Sequence, residues 1–303
     1  MSEKLFGFLP INKPKGITSR RAVDAVKKLV KPAKVGHTGT LDPMAEGVLL
    51  ICIGPATRLA SFVQQSQKSY LGSFRLGVIS ETDDVEAELT VLDDAPRIES
   101  NQLESVLHEV AGLINQVPPQ YSAIKVNGQR AYKLARSGKT VELKPREVNV
   151  YDLRLAEFEY PNFKLNIECG AGTYVRSIGR DIGKHFGSGA VMTALTRTTV
   201  GMFSLSRCVD VESVTLEVIR RHLVSPASIF EDLPETKLGL GQVTRLANGG
   251  VFTAAELELE PGLKRVIALD EKGNLIALLQ SGKTTDQYRI EYNFANHYID
   301  SIQ

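Results

Sequence analysis

Residues 34–54 read KVGHTGTLDPMAEGVLLICIG: a glycine-spaced polar stretch that carries Asp42 and runs directly into the apolar segment VLLICIG (48–54). The apolar segment is short, rich in bulky side chains and free of charge, which predicts a buried strand. The polar stretch before it is harder to read. Gly36 and Gly39 supply the backbone freedom of a tight loop, and Asp before Pro is a common way to open a turn. Asp42 thus has an ordinary reading, turn chemistry. It also has a sharper one, a carboxylate set at the end of a buried strand for a reaction.

Outward from this stretch, FGFLPI (6–11) reads as a short strand, and Ser19 is placed to cap a helix whose Val23, Val26 and Leu29 repeat at helical spacing. KSYLGSFRLG (68–77) alternates, with Tyr70, Phe74 and Leu76 on one face and Ser69, Ser73 and Arg75 on the other. Leu103, Val106, Leu107 and Val110 mark a second amphipathic helix. Strands resume at VNVYDLRLAEF and FKLNIEC, and a glycine-rich joint, GAGTYVRSIGRDIG, leads into a further helix. Strand and helix runs mix without regular alternation, so the fold class is α+β with a largely antiparallel sheet. After Pro234 short alternating runs divided by Gly and Pro predict a small β-rich module. The expected domains are 1–233, with an insertion at about 118–147 whose Pro and Gly content predicts little regular structure, and 234–303.

The chain has 303 residues, of which 43% are hydrophobic and 23% charged, a globular composition. Its N-terminal apolar stretch is too short for a signal peptide and no run approaches the roughly 18 apolar residues of a membrane span. A cytoplasmic protein is expected. The three cysteines, Cys52, Cys169 and Cys208, are far apart and read as core thiols rather than a disulfide framework or zinc knuckle. Net charge is only +1, but its distribution is lopsided. Residues 118–147 hold Lys125, Arg130, Lys133, Arg136, Lys139, Lys144 and Arg146 against Glu142 and Glu147. Lys13, Lys15, Arg20, Arg21, Lys27, Lys28, Lys31 and Lys34 make the N-terminal stretch basic, whereas 81–109 is acidic. Each run has solvated surface as its plain reading.

Two motifs fail on inspection. SGKT occurs at 137–140 and 281–284, yet the glycine that a phosphate-binding loop needs five residues before its Gly-Lys pair is replaced by Lys133 and Ala277. The five histidines show no metal-ligand spacing, so no metal is expected.

Taken together, NKPKG with GHTGTLDPMAEGVL, then KSYLGSFRLG, then GTYVRSIGRDIG, closely resemble in order and spacing the TruB family of tRNA pseudouridine synthases. The likeness runs through QVPPQYSAIKVNGQRAYKLAR and covers most of residues 5–205. It implies a pseudouridine-synthase fold and isomerisation of the T-loop uridine (uridine-55) in the T-arm of tRNA, with no cofactor and no protein partner. It also implies Asp42 as the catalytic carboxylate, Tyr70 packing on the target base, and Arg176 pairing with the aspartate. Tyr174 and Leu195 match pocket residues, His37 a histidine that engages the T-loop, and Lys13 the supporting Lys-Pro motif. The C-terminal module looks like a PUA domain, an RNA-binding β-barrel. Acids outnumber bases there, which weighs against strong phosphate binding by it. A monomer is the expectation.

The reaction asks for these residue types independently. Uridine becomes pseudouridine when the bond from C1′ to N1 breaks and one to C5 forms, with no redox change and no group lost. An ionised carboxylate beside C1′ can attack it, stabilise positive charge on the sugar, or remove a ribose proton. A guanidinium such as Arg176 keeps a partly buried carboxylate charged. If TYVR is extended, Tyr174 and Arg176 share a face; if it is helical, they diverge by about 200°. An aromatic ring such as Tyr70 can replace the stacking a displaced base gives up. Each residue alone has a plainer reading: core packing for the tyrosines, a surface ion pair for the arginine. Three rival functions are an RNA-binding protein without chemistry, the catalytic subunit of a guide-RNA-dependent rRNA pseudouridine synthase, and a small-molecule hydrolase using Asp42. The second type carries basic extensions, which this chain is expected to lack. The third leaves the basic 118–147 segment unexplained.

Overall fold

Strand β1 (Gly7–Lys13), helix α1 (Ser19–Leu29), β2 (Val35–His37) and β3 (Glu46–Ile53) open the chain, in a computed structural model that describes residues 4–302. Residues 123, 127, 138–141, 283 and 285 are outside the description, and at 125, 132, 136 and 302 it covers the backbone alone. The apolar run after Asp42 is the middle of the main sheet. Strand β3 lies between β1, antiparallel to it, and the Ala190–Val200 strand, parallel to it. Its side chains alternate between two cores: Leu49, Ile51 and Ile53 on one face, Val48, Leu50 and Cys52 on the other. Burial on both faces explains a segment without a polar residue.

From β3 the sheet continues through Ala190–Val200 to β4 (Lys68–Leu76), Asn162–Cys169, Arg146–Glu159 and Gly112–Gln116. On its other side β1 is followed by Val209–Asp210, and β2 pairs onto β3. The pairs of β1 with 209–210 and of β3 with 190–200 are parallel; the other pairs are antiparallel. The sheet is therefore mixed and largely antiparallel.

Helices α1, α3 (Ser100–Leu107) and α5 (Val175–His185) cover one face. α1 buries Ala22, Val23 and Val26. Its cap is Thr18, whose hydroxyl accepts from the Arg21 amide at 3.1 Å, rather than Ser19, whose hydroxyl is used elsewhere. α3 stops at Leu107, so Val110 reaches the core from the turn that follows. α5 lies unusually close to the sheet. A Cβ on Gly179 would stand 2.4 Å from the Phe74 ring, and one on Gly183 would stand 2.3 Å from the Ala190 amide nitrogen. These glycines, four apart on one helix face, let α5 settle far enough to aim its first turn.

The second core lies on the opposite face. There α2 (Ala60–Gln65) contributes Val63 and Phe62, and a second sheet closes over them. That sheet runs in the order Glu235–Lys237, Arg265–Leu269, Leu275–Ser281, Gln287–Asn293, Phe252–Thr253. Ile267, Leu269, Leu275, Leu278 and Phe294 pack with Phe8, Val48 and Leu50 in one continuous cluster. The module is β-rich as expected, and besides its strands it holds helices at Leu240–Ala247 and Ala295–Ile302, which its punctuation did not single out.

Residues 118–147 also differ from expectation. Their Pro and Gly content predicted little regular structure, but they form a hairpin, Lys125–Val126 with Gln129–Arg130, and helix α4 (Ala131–Arg136). Ala131 and Leu143 make a small core of their own, flanked by Ile124, Val126 and Leu134. Gly128, at φ +81°, turns the hairpin. Gly138 to Thr140 of the first SGKT and Lys283 of the second fall outside the described residues.

Candidate active site

Asp42 stands in the loop between β2 and β3, and the turn it belongs to is closed by backbone: the Ala45 amide donates to the Asp42 carbonyl at 3.1 Å. Its side chain does something else. Oδ2 lies 3.1 Å from Nε of Arg176, and the carboxylate is about a third exposed while the arginine is nearly buried. Turn chemistry thus accounts for the backbone at this position but not for the acid.

Arg176 is at the second position of α5. Tyr174 is the residue before the helix, extended at φ −100° and ψ 111°, so the chain switches from extended to helical between the two candidate residues. Gln116, fully buried, fixes that switch: its Oε1 accepts from the Tyr174 amide at 2.8 Å and its Nε2 donates to the Tyr174 carbonyl at 3.1 Å. The guanidinium is held on every side. Nη1 donates to the Thr82 carbonyl at 2.9 Å, Nη2 donates to the Tyr121 carbonyl at 3.2 Å, and Nη1 stands 3.3 Å from Oδ2 of Asp84. Asp84, 1% exposed, is itself fixed by the Thr82 hydroxyl and by the Glu86 amide, which donates at 2.9 Å. Arg176 therefore bridges one carboxylate that opens to the cleft and one that is sealed behind it.

This arrangement sets the charge state of Asp42. Burial pushes its carboxyl above the ordinary carboxylate value; the Arg176 guanidinium opposes that, Asp84 adds to the rise, and Lys13 counters it. Lys13 is fully buried, and its Nζ donates to the carbonyls of Ile17 at 2.8 Å, Pro14 at 2.9 Å and Pro43 at 3.4 Å. Desolvation lowers it to about 8, although Asp42 and Glu46 pull the other way. It ties the turn before α1 to the residue after Asp42. Ser19 does the same from the helix: its hydroxyl donates to the Leu41 carbonyl and accepts from the Leu41 amide, both at 2.9 Å.

Tyr70 projects from β4 and packs at the edge of the core that holds Leu41 and Leu195. Leu195, opposite Gly72 in the adjoining strand, is buried. Burial raises the Tyr70 phenol above its ordinary value, against the hydrogen bond and charge of Arg197. Arg197 is only 3% exposed; it donates from Nε to the Val48 carbonyl at 2.7 Å and from Nη2 to the Gly39 carbonyl at 3.1 Å. One buried guanidinium thus joins Tyr70, β3 and the Asp42 loop. His37 sits at the end of β2, lowered by burial and by Arg197, with a buried Nδ1 that has no hydrogen-bond partner among the described residues. Tyr174 is half-buried beneath the Arg146 guanidinium, which lies 4.8 Å from the ring centroid.

Asp42 and Arg176 are therefore in direct contact, Lys13 is fastened to the residue after Asp42, Tyr70 and Leu195 pack in the core that holds Leu41, and Tyr174 immediately precedes the helix that carries Arg176. Arg130 and Lys133 are exposed on the 118–147 segment; the side chains of Lys125 and Arg136 fall outside the described ones. Sequence reasoning missed Asp84, Arg197 and Gln116. Asp84 lay in an acidic run read as solvated surface. Among the described residues no group of three or more His, Cys, Asp or Glu is arranged to hold a metal ion.

Comparison with known proteins decides the family. The profile described as TruB family pseudouridylate synthase (N terminal domain) matches residues 27–175. A tRNA pseudouridine synthase B from Francisella philomiragia is 40% identical over 283 residues, covering 92% of this chain and 93% of the relative. The chain belongs to the TruB family of pseudouridine synthases. It is accordingly an isomerase. A second TruB-family relative, tRNA pseudouridine synthase B of Francisella tularensis subsp. tularensis, is 42% identical over 252 residues, 82% of this chain and 83% of its own. Among solved structures, the fold is shared with a chain of a Cbf5-Nop10-Gar1 complex, with a TM-score of 0.71, 24% identity and coverage of 95% of this chain and 85% of that one. A chain of an H/ACA RNP bound to a substrate RNA containing 2′-deoxyuridine gives a TM-score of 0.70 at 22% identity, over 95% of this chain and 85% of that one. The TruB-family fold is thus the pseudouridine-synthase fold, with a β-rich sheet at its C-terminal end.

Proposed function

We propose that this protein converts the T-loop uridine (uridine-55) of tRNA to pseudouridine without a guide RNA, with Asp42 as the reacting carboxylate. The observation that carries the reading is the Asp42 side chain: free of the turn it stands in, open to the cleft, and paired with an arginine that a second, sealed carboxylate holds in place. The names of the 40–42% identical relatives support tRNA as the substrate.

The base leaves its stack and meets Tyr70, which replaces the lost stacking, worth about 1–3 kcal/mol per base. The ionised Asp42 then acts on the sugar, at C1′ or on a ribose proton. The C1′–N1 bond breaks, the base turns, C5 bonds to C1′, and the proton displaced from C5 is balanced by one gained at N1. Arg176 keeps Asp42 charged and aimed; Leu195 and Tyr174 border the base, and Lys13 and Arg197 fix the loop from below. His37, at the end of the strand that leads into the Asp42 loop, contacts the T-loop. Residues 118–147, through Lys125, Arg130, Lys133 and Arg136, close on the phosphate backbone, and residues 234–303 act as a PUA-like RNA-binding module beside a catalytic unit of 1–233. No protein partner is required, and the enzyme works as a monomer in the cytoplasm.

The test is incubation of the purified protein with unmodified tRNA and no guide, followed by mapping of pseudouridine. Modification at the T-loop uridine supports the reading. Binding without modification would return the protein to a binding role, and modification only with a guide RNA would return it to the guide-dependent class.

A further inference from the structure

Helix α1 and Lys31, two residues past its end, present Arg20, Arg21, Lys27, Lys28 and Lys31, all exposed, with Asp24 the acid among them. At 100° per residue Arg20, Lys27 and Lys28 fall within about 100° of one another, opposite the buried Ala22 and Val26. Together with Arg21 and Lys31 they line one shallow depression of about 670 Å³. Lysines in a last turn are ordinary, because they complement the negative end of the helix dipole, and that accounts for Lys27 and Lys28. It does not account for the arginines. Arg20 and Arg21 stand in the first turn, where a cation is disfavoured, and no acid accompanies them there. Asp24 pairs with Arg20 at 3.0 Å, and no described carboxylate pairs with Arg21. Arg20 and Arg21 thus add positive charge at the helix end that already disfavours it, and with the lysines they give α1 an exposed basic surface suited to an anion from outside.

The location says which anion. The start of α1 is fastened to the Asp42 loop: Ser19 grips Leu41, and the Gly16 amide donates to the Pro43 carbonyl at 2.8 Å. On the other side of the carboxylate, Arg176 reaches the Tyr121 carbonyl at the base of the 118–147 segment. Two basic elements are therefore fastened to the Asp42–Arg176 pair, one to each partner. The helix extends about 16 Å at 1.5 Å per residue, long enough to follow several phosphates of one strand.

We infer that the basic face of α1 is a second grip on the RNA, holding backbone phosphates of the strand that delivers the uridine to Asp42, across the cleft from the 118–147 segment. The inference rests on RNA being the substrate. Its contacts are to phosphate, so they position the RNA and do not read its sequence.

The experiment measures the affinity of the full-length protein for unmodified tRNA across a salt series, wild type beside Lys27→Gln/Lys28→Gln/Lys31→Gln, with melting curves for both. Each lost phosphate contact lowers the slope of log affinity against log salt by about 0.7–0.9, so the triple variant is expected to bind at least about tenfold more weakly at low salt, with a slope smaller by about 2. Should the triple variant fail to fold, Lys28→Gln and Lys31→Gln alone are each expected to lower the slope by just under about 1. Unchanged slope and affinity in a folded variant overturn the α1 grip while leaving the tRNA reading intact. A wild-type protein that neither binds nor modifies tRNA overturns that reading and this one with it.

Discussion

The Asp42–Arg176 centre and the 118–147 segment lie side by side and are built on opposite principles. The centre is locked. Asp42's loop is fastened by Lys13, Ser19 and Arg197, and the arginine facing it spends all three of its nitrogens on Asp42, Asp84, Thr82 and Tyr121. The segment is packed mostly on itself, around Ala131 and Leu143, and joins the body near its base, where Ser177 and Arg180 donate to the Val117 carbonyl at 3.1 and 2.7 Å. Chemistry needs a carboxylate fixed to within a fraction of an ångström, whereas holding a phosphate chain needs positive charge over a wide surface. The difference implies that changes in the first region alter rate at nearly constant affinity, and changes in the second alter affinity at nearly constant rate.

Among the residues that support the reacting pair, the largest effect is expected from Asp84→Asn. Removing the sealed charge leaves Arg176 half-compensated, which is expected to cost about 3 kcal/mol of stability, in the range for breaking a buried ion pair. The arginine also loses its anchor, and a misplacement of about 1 Å is expected to lower the single-turnover rate about 10²-fold. Chemical denaturation and a rapid-quench assay check the two effects, and a wild-type rate in this variant would show that the sealed carboxylate is not part of the centre.

A smaller effect, in pH, separates charge from position. Arg176 holds Asp42 down against the rise caused by burial. Wild-type activity is expected to fall with acid as Asp42 takes up a proton, above the usual carboxylate range. In Arg176→Gln that opposing charge is gone, so the folded-state value rises and the acid limb of the pH–rate profile moves to higher pH. A limb that moves to lower pH or stays fixed contradicts the pairing as the control of Asp42's charge.

On the other side of the contrast, neutralising Lys125, Arg130, Lys133 and Arg136 together is expected to weaken tRNA binding and to flatten its salt slope by up to about 3. The rate at saturating RNA should change least of all. A salt slope equal to that of wild type would detach the segment from the RNA.

The periodic parts of the fold were legible because burial imposes a period. VLLICIG, FGFLPI and the alternation of KSYLGSFRLG all became strands of the main sheet, and the glycine-rich joint did lead into α5. What escaped was set by contacts distant in sequence. Thr18 caps α1 because Ser19 is drawn to Leu41, some twenty residues away. Asp84 is buried because α5 brings Arg176 over it, and nothing local distinguishes it from the exposed Glu86 and Glu88 beside it. Leu240, Val243 and Leu246 do repeat at helical spacing, yet the glycines around them gave the module a strand-like punctuation. The segment at 118–147 was misread for a related reason: Gly128 turns its hairpin rather than preventing it. For the site, joint order and spacing pointed to Asp42, Tyr70, Arg176 and the supporting Lys13, while Asp84, Arg197 and Gln116, which hold their surroundings in place, carried no motif.

The most direct test is Asp42→Asn, measured by single-turnover pseudouridine formation on unmodified tRNA beside a binding titration and a melting curve. Asn keeps the turn, since the bond that closes it uses the residue's carbonyl, and it removes only the charge and the basicity. Arg176 still has Asp84. The expected result is a folded protein with a melting temperature close to wild type, tRNA affinity within a few-fold, and a rate reduced by at least about 10⁴. A variant that forms pseudouridine at a near-normal single-turnover rate would contradict the account and leave Asp42 as a residue of the turn.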